Sequence, residues 1–410
     1  MPSARGVVVF AAGIGLWVAA RLAGSPVLHM VAVGLVVLPF AAALFARWSR
    51  VRLRLRRRLS EQRVAPGQRV TVELEIENES PAWTSFLLVE DRMPAALGRA
   101  ARLVMAGIRP KGKQRATYSL VAQARGRYTL GPVTVDVSDP FSLTKLQAEF
   151  DHRDDLVVTP EVEHLEAGPA SPFGATSGLS KARHLFRTGD EFYTMRPYVE
   201  GDDLRRIHWP SVARSGELMI RQDESTRRST AVLFADTRDS AVGQSHTPCF
   251  EKVVSATASL GILLVRYGFS LKLATTQMPP QRVGEEALLD ALAGVSHQSS
   301  RALSTGLNRL RMVAASDTTL VVVGAPPAPT ELPSWIRAGA MFGPKVGVFV
   351  YPTDPETLPV DRRAQLEGRA SQARTSLSRS GWEVVVLPPA RRLKDAWHAE
   401  RTKPLVVRGS

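Results

Sequence analysis

Cysteine is almost absent from this 410-residue chain, which holds only Cys249. One thiol makes no intramolecular disulfide, and without a CxxC partner or clustered histidines it makes no zinc site, so the expectation is a chain facing the reducing cytosol. Acidic residues are missing from positions 1–58, which carry nine arginines: Arg5, Arg21, Arg47, Arg50, Arg52, Arg54, Arg56, Arg57 and Arg58. Most of the net charge of +14 therefore sits at the N-terminus, and no broad basic face of the kind that binds nucleic acid is expected beyond it. A nucleotide-binding loop is lacking too. The glycine-containing GATSGLSK (174–181) has no adjacent Gly-Lys-Ser/Thr, and no cofactor is expected.

Two long apolar runs are present. GVVVFAAGIGLWVAARLA (6–23) and PVLHMVAVGLVVLPFAAALFA (26–46) are each close to the roughly 20 residues that cross a membrane, and Gly24-Ser25-Pro26 permits only a tight turn between them. Seven arginines between Arg47 and Arg58 place the exit of the second run in the cytoplasm by the positive-inside bias, which gives a multi-pass anchor in the cell membrane with cytoplasmic soluble domains. A cleaved signal peptide is the alternative for the first run, because MPSAR is a short basic lead. The cationic RVRLRLRRR alternates as a strand does but is read more simply as a collar on anionic lipid headgroups, so that residues 6–58 meet the lipid.

At this length two or three folded units are expected. The boundaries are drawn as a membrane hairpin with its collar at 1–58, a β-sandwich at 59–150, a linker at 151–188 and an α/β domain at 189–410. Period-two alternation, clearest in RVTVELEIEN (69–78), and turn residues at 65–67, 78–81, 109–112 and 131–132 support the all-β sandwich. Glu161 to Leu185 is rich in Gly, Ala, Ser and Pro and lacks periodicity, which reads as a loop. After Arg228, apolar strands such as TAVLFAD, SLKLATT, TTLVVVG, VGVFVY and WEVVVLP alternate with helical stretches, which predicts a mostly parallel, doubly covered sheet. Ligands of such sheets sit beyond the carboxyl ends of the strands, and the first such loop is DTRDS, 236–240.

The segment GDEFYTMRPYVEGDDLRRIHWPSVARSGELMIRQDE (189–224) carries the pattern Gly-x-Glu-Phe, Arg-x-Tyr, Gly-Asp-Asp, Arg-x-Ile, Trp and Ala-Arg, and RGRYTLGPVTVDVSDPFSL (125–143) carries Arg-Gly-x-Tyr and Asp-Pro-Phe. Together with the apolar hairpin they resemble the domain of unknown function family 58, over the whole chain. The resemblance implies a bacterial protein whose C-terminal half is von Willebrand factor A-like and whose partner is a MoxR-type AAA+ ATPase. Domains of that kind that bind a divalent cation use Asp-x-Ser-x-Ser. Here the middle position is Arg238, a donor only, whose charge opposes a cation. No metal is therefore expected, with Asp236, Asp239 and Ser240 the ligands if a site existed.

The densest stretch, GDDLRRIHWPSVAR (201–214), admits several readings. A hydrolase would use Asp202, Asp203 and His208 as acid and base, but no nucleophile or oxyanion donor accompanies them. A structural staple would have Asp202 or Asp203 capping the turn while Arg196, Arg205 and Arg214 pair with acids, so that Arg196, Tyr198, Gly201, Asp202, Asp203 and Arg214 hold the fold. A docking surface would use Arg205, Arg206 and Trp209, residue types that concentrate binding energy at interfaces. The expectation is a non-enzymatic membrane-anchored adaptor that combines staple and docking surface.

Overall fold

The computed structural model describes residues 4–48, 52–81, 83–84, 86–138, 145–166, 193–199, 207–223, 229–299 and 303–401. The chain divides into two compact units, Met1–Thr159 and Pro160–Ser410.

The first unit begins with α1 (Ala4–Ala23) and α2 (Pro26–Trp48), both long and apolar enough to cross a membrane. Small residues let the two helices approach. A Cβ on Gly13 would lie 2.9 Å from a Val36 methyl, and Ala20 and Ala32 are fully buried. Phe10 meets Phe40 edge to face at 5.6 Å. Large apolar side chains such as Val8, Leu22, Met30 and Leu44 point outward, the reverse of a water-soluble hairpin.

Among the described residues of this unit, ten strands follow in three sheets. β1 (Leu53–Leu59), β3 (Arg69–Asn78) and β6 (Lys113–Val121) form one, in the order β1-β3-β6. β2 (Arg63–Val64), β10 (Asp154–Val158) and β7 (Gly126–Leu130) form the second, and β5 (Ala101–Met105), β4 (Leu87–Asp91), β8 (Val133–Ser138) and β9 (Lys145–Phe150) the third. Alternate residues of β3 (Val70, Val72, Leu74, Ile76) enter one apolar core with Leu87, Val89, Val133, Val135 and Leu156. The alternation read from the sequence is thus the burial pattern of the strand.

Residues 53–59 of the expected lipid collar are strand β1. Arg54, Arg56 and Arg58 stand opposite Glu77, Glu75 and Glu73 of β3 in the antiparallel register, and on the other side of β3 Arg115 pairs with Glu73 and Glu75 while Lys113 pairs with Glu75 and Glu77. A central acidic strand between two basic ones answers their charge within the sheet. Arg57 falls on the inward parity with Leu53, Leu55 and Leu59, and its side chain has no solvent exposure. Its Nη2 donates to Asp91 Oδ1 at 2.8 Å, and its Nη1 donates to the Leu130 carbonyl at 2.9 Å and to Asp154 Oδ2 at 3.2 Å. One guanidinium therefore ties β1 to β4, β7 and β10. Burial pushes the Asp91 carboxyl above its ordinary range, outweighing hydrogen bonds from Tyr118 and Arg57. Gly131, φ +105°, passes so close to this site that a Cβ would collide with the His152 carbonyl and crowd the Arg57 guanidinium.

The second unit begins inside the expected linker. Residues 160–166 lie on the α/β layer: Leu165 is buried in its core, and Glu163 accepts from Lys252 Nζ at 2.6 Å and from Lys394 N at 3.0 Å. β10, at 154–158, likewise lies in that linker range but belongs to the first unit. The short pair β11 (Tyr193–Pro197) and β12 (Met219–Asp223) flanks α3 (Trp209–Ser215). A six-stranded mixed sheet is then built from β13 (Thr230–Ala235), β14 (Ser270–Thr275), β15 (Gln281–Arg282), β16 (Thr319–Gly324), β17 (Lys345–Val350) and β18 (Trp382–Leu387), in the order β15-β14-β13-β16-β17-β18. All its pairings are parallel except the edge pair β14–β15.

Alternate strand residues enter two separate clusters. Leu233, Leu273, Val321, Val348 and Val385 join the cluster of α5 (Pro248–Arg266), whereas Phe234, Val322, Phe349 and Val384 join that of Leu307, Trp335 and Leu377. Between these strands run α4 (Asp239–Val242), α6 (Glu285–Ala293), α7 (Leu303–Arg311), α8 (Leu332–Gly339) and α9 (Val360–Arg379), and α10 (Leu393–Arg401) follows β18. Helix α5 is also long and apolar enough to cross a membrane, but 78% of its apolar window is buried within this unit. It is a core helix, started by Thr247, whose hydroxyl accepts from Phe250 N at 3.4 Å.

Candidate functional site

The signature segment forms a small module around the β11–β12 pair. Tyr198 N donates to the Leu218 carbonyl at 2.8 Å, His208 N to the Met219 carbonyl at 2.9 Å, and Ile207 bridges to the buried Ile220. Helix α3 opens at Trp209 with Pro210 behind it and closes on Gly216 at φ 76°. Trp209 is thus the first helical residue rather than part of a preceding turn, and it is 66% exposed; Val199 and Leu218 are exposed beside this pairing. Arg214 lies in the last turn of α3, exposed, where a cation suits the helix dipole. Among the described residues it makes no ion pair. His208 Nδ1 lies 2.8 Å from Ser211 Oγ, a contact that sequence reading missed. Gly201, Asp202, Asp203, Arg205 and Arg206 lie outside the described residues, as does the side chain of Arg196, whose backbone is in β11.

The second site closes the carboxyl end of β13. Asp236 is buried, and Arg238 grips it as a fork, Nε to Oδ1 at 2.9 Å and Nη2 to Oδ2 at 2.7 Å. Nη1 donates to Glu331 Oε1 at 2.6 Å. Thr276 Oγ1, just past β14, and Arg238 N each donate to Asp236 Oδ1 at 3.2 Å. Gln298 N donates to the Thr237 carbonyl at 2.8 Å, and Asp239 N to the Gln298 carbonyl at 3.1 Å, which fixes the loop that leads into α4. Strand β16 does end without an acid, as its sequence reads. The acid arrives seven residues later as Glu331, directly before α8, where its Oε2 accepts from Ala328 N at 3.3 Å. A seven-residue separation across an irregular loop leaves no periodic signal in the sequence for this residue.

The electrostatics follow from the pairing. Burial alone would lower the Arg238 pKa, but hydrogen bonds to Asp236 and Glu331 outweigh it and hold the guanidinium above its ordinary value. Burial would raise Glu331, and the Arg238 hydrogen bond and charge overcome it, so Glu331 is held below the usual carboxylate range. The position where a cation would be bound by Asp236 is taken by a guanidinium of the same chain. Of the three residues that would be ligands, Asp236 is covered by Arg238, Asp239 is half-buried at the start of α4 and Ser240 is exposed. Among the described residues no three His, Cys, Asp or Glu side chains are grouped so that they could hold a metal ion.

An apolar two-helix hairpin, a β-rich unit and a mixed α/β sheet with an internally paired carboxyl edge define a class of chain with a candidate membrane anchor and two folded units. Residues 194–382 match the family described as "Protein of unknown function DUF58", which agrees with the resemblance carried by the signature segment. The match starts at Thr194, so the RGRYTLGP region lies outside the matched residues. A relative in Bacillus subtilis (strain 168), "Uncharacterized protein YeaD", is 25% identical over 249 residues, 58% of this chain and 60% of that protein. The chain thus aligns with about three fifths of the relative's length. Among solved structures, the CARDB domain of the PF1109 protein from Pyrococcus furiosus matches 26% of this chain and 88% of that chain at 14% identity and a TM-score of 0.21. Red sea bream transglutaminase matches 26% of this chain and 15% of that chain at 17% identity and a TM-score of 0.20. Likenesses this low carry no argument about fold or function.

Proposed function

We propose that this chain is a non-enzymatic adaptor anchored in the cell membrane by its two N-terminal helices, with its soluble units in the cytoplasm and a von Willebrand factor A-like C-terminal unit. Its partner is a MoxR-type AAA+ ATPase, and its setting is assembly or maturation at the bacterial cell envelope. The observation that carries the docking half is Trp209, exposed at the first position of α3 beside exposed Val199 and Leu218, in the segment that bears the family motif. Tryptophan held on a rigid helix end is suited to anchor a partner. The von Willebrand A-like reading rests on the parallel pairing of β14-β13-β16-β17-β18 and on the position of DTRDS at its carboxyl edge. The ATPase itself is named only by the resemblance of the signature motif. The test is capture of a purified MoxR-type ATPase by the full chain in detergent. Trp209→Ala should weaken capture by about 2 kcal/mol, roughly thirtyfold in Kd, with an unchanged melting temperature. Equal capture by both proteins, or none by either, defeats the docking assignment.

A second reading, a hydrolase using Asp202, Asp203 and His208, draws on the 2.8 Å contact of His208 with Ser211, which supplies a hydroxyl beside the base. The same contact has a structural reading, because His208 directly precedes α3 and Ser211 is its third residue, so the two side chains meet across the first turn. Turnover of generic esters or phosphate esters that is lost in both His208→Ala and Ser211→Ala favours the hydrolase over the adaptor.

A further inference from the structure

One end of the β-rich unit carries aromatic and basic side chains at the corner where β1 begins, a few residues after α2. Glu79 N donates to the Arg52 carbonyl at 2.7 Å, and Leu53 pairs with Asn78 at the start of the β1–β3 ladder. Trp48 is the last residue of α2, so Arg52 follows by four Cα steps, a span of at most about 15 Å. The end of α2 is therefore tethered within that reach of Arg52, which is itself hydrogen-bonded to the Asn78–Glu79 corner. Two loops are pinned to this corner. Asn78 Nδ2 donates to the Ile108 carbonyl at 3.1 Å, Thr84 N to the same carbonyl at 3.0 Å, and Ile108 N to Thr84 Oγ1 at 2.7 Å. Lys111 Nζ donates to the Glu79 carbonyl at 2.8 Å.

The side chains these loops display are unusual for a surface facing only water. Trp83 is 61% and Phe86 68% exposed, and Val104 and Leu88, cross-strand partners at the neighbouring ends of β5 and β4, are exposed as well. The Arg109 guanidinium stacks over the Trp83 ring, 5.6 Å from its centroid. Of the cations in segments 78–86 and 106–113, Lys113 pairs with Glu75 and Glu77 of β3, which leaves Arg109 and Lys111 against a single acid, Glu79, whose side chain lies 3.7 Å from Arg54. Tryptophan and phenylalanine flanked by exposed cations are the residue set of a membrane–water interface, where the rings sit at headgroup depth and the cations meet lipid phosphates.

We infer that Trp83, Phe86, Arg109 and Lys111 form a second membrane contact, in which Trp83 and Phe86 enter the headgroup layer of an anionic bilayer and Arg109 and Lys111 pair with its phosphates. The hairpin then anchors the chain while this tip fixes the tilt of the β-rich unit against the surface. The inference rests on the membrane-anchor reading and deepens it. The partner is lipid rather than protein, because the covalent tether brings the tip to whatever surface holds α2.

The experiment uses the full chain reconstituted in vesicles of mixed zwitterionic and anionic phospholipid, with nitroxide labels on introduced cysteines read by power saturation with oxygen and a water-soluble nickel chelate. The native Cys249 is buried, and burial pushes its thiol up to about 12, so it stays unlabelled. Three positions are read: Val37→Cys on α2, Phe86→Cys on the tip, and Gln123→Cys, exposed at the opposite end of β3 and β6, some 30 Å away along a ten-residue strand. The expected result is a lipid signature at position 37, an oxygen-accessible, nickel-shielded signature at 86 and an aqueous one at 123, with Arg109→Glu/Lys111→Glu shifting position 86 toward water. If position 37 is in lipid while 86 is as aqueous as 123, the second contact is refuted and the anchor stands. If position 37 itself is aqueous, the anchor reading fails and the tip contact fails with it.

Discussion

Arg57 and Arg238 are the two residues whose chemistry most shapes the molecule, and they were legible to different degrees. Arg238 breaks a metal-ligand pattern at a strand end, so its position in DTRDS marked it at once; its second partner, Glu331, lies across a loop and could not be read. The full chain titrated with Mg²⁺ or Mn²⁺ by calorimetry should show no micromolar site, because the guanidinium already occupies both oxygens of Asp236. Binding that disappears in Asp236→Ala overturns this. Arg57 was hidden by its company, one of nine arginines in a basic N-terminus, although its parity with Leu53, Leu55 and Leu59 pointed it inward. Replacing it strands the buried Asp91, so Arg57→Ala should cost about 3–5 kcal/mol of unfolding free energy. Arg58→Ala, on the exposed parity of the same strand, should leave thermal melting almost unchanged. Equal melting temperatures for the two variants would show that the Arg57 network contributes nothing.

Periodic elements were legible in the sequence, whereas the contacts made by aperiodic segments were not. RVTVELEIEN is β3 from its first residue to its last, and each of the apolar runs after Arg228 became a strand of the mixed sheet, because their burial is what repeats in the sequence. Residues 161–166 have no repeat and are a loop as expected, but a loop held by hydrogen bonds from other elements, which no pattern in the sequence marks. Glu163 joins this segment to Lys252 of α5 and to the first turn of α10. Burial would raise its pKa, but hydrogen bonds from Lys252 and from the backbone of Lys394 and Leu393 prevail and lower it. A carboxylate with a depressed folded pKa stabilises the fold above its unfolded pKa, about 4.3, and loses that contribution as pH falls through the lower folded value. Thermal melting of the wild-type chain should therefore drop more steeply than that of Glu163→Gln as pH is lowered through this window. Parallel pH profiles would mean that the Glu163 contacts are not formed in solution.

For the whole molecule, the charge asymmetry of the first 58 residues is the basis of the proposed orientation, while the arginines from 54 to 58 are answered inside the β-rich unit. The positive-inside argument then rests on Arg47, Arg50 and Arg52 against Arg21 beside the turn, a smaller margin in the same direction. A reporter fused at Ser60 should give cytoplasmic fluorescence and no alkaline-phosphatase activity; the opposite pattern reverses the topology. The boundary drawn between residues 58 and 59 cuts through β1, which runs from Leu53 to Leu59 and pairs with β3. That has a practical edge. A soluble fragment begun at residue 59 would discard the first strand together with Arg57, leaving β3 with a bare hydrogen-bonding rim and Asp91 buried opposite an empty slot, and such a fragment should be recovered as aggregate. Beginning at Arg52, past the last apolar residue of α2, keeps the strand and its arginine and is the boundary from which a water-soluble protein can be expected.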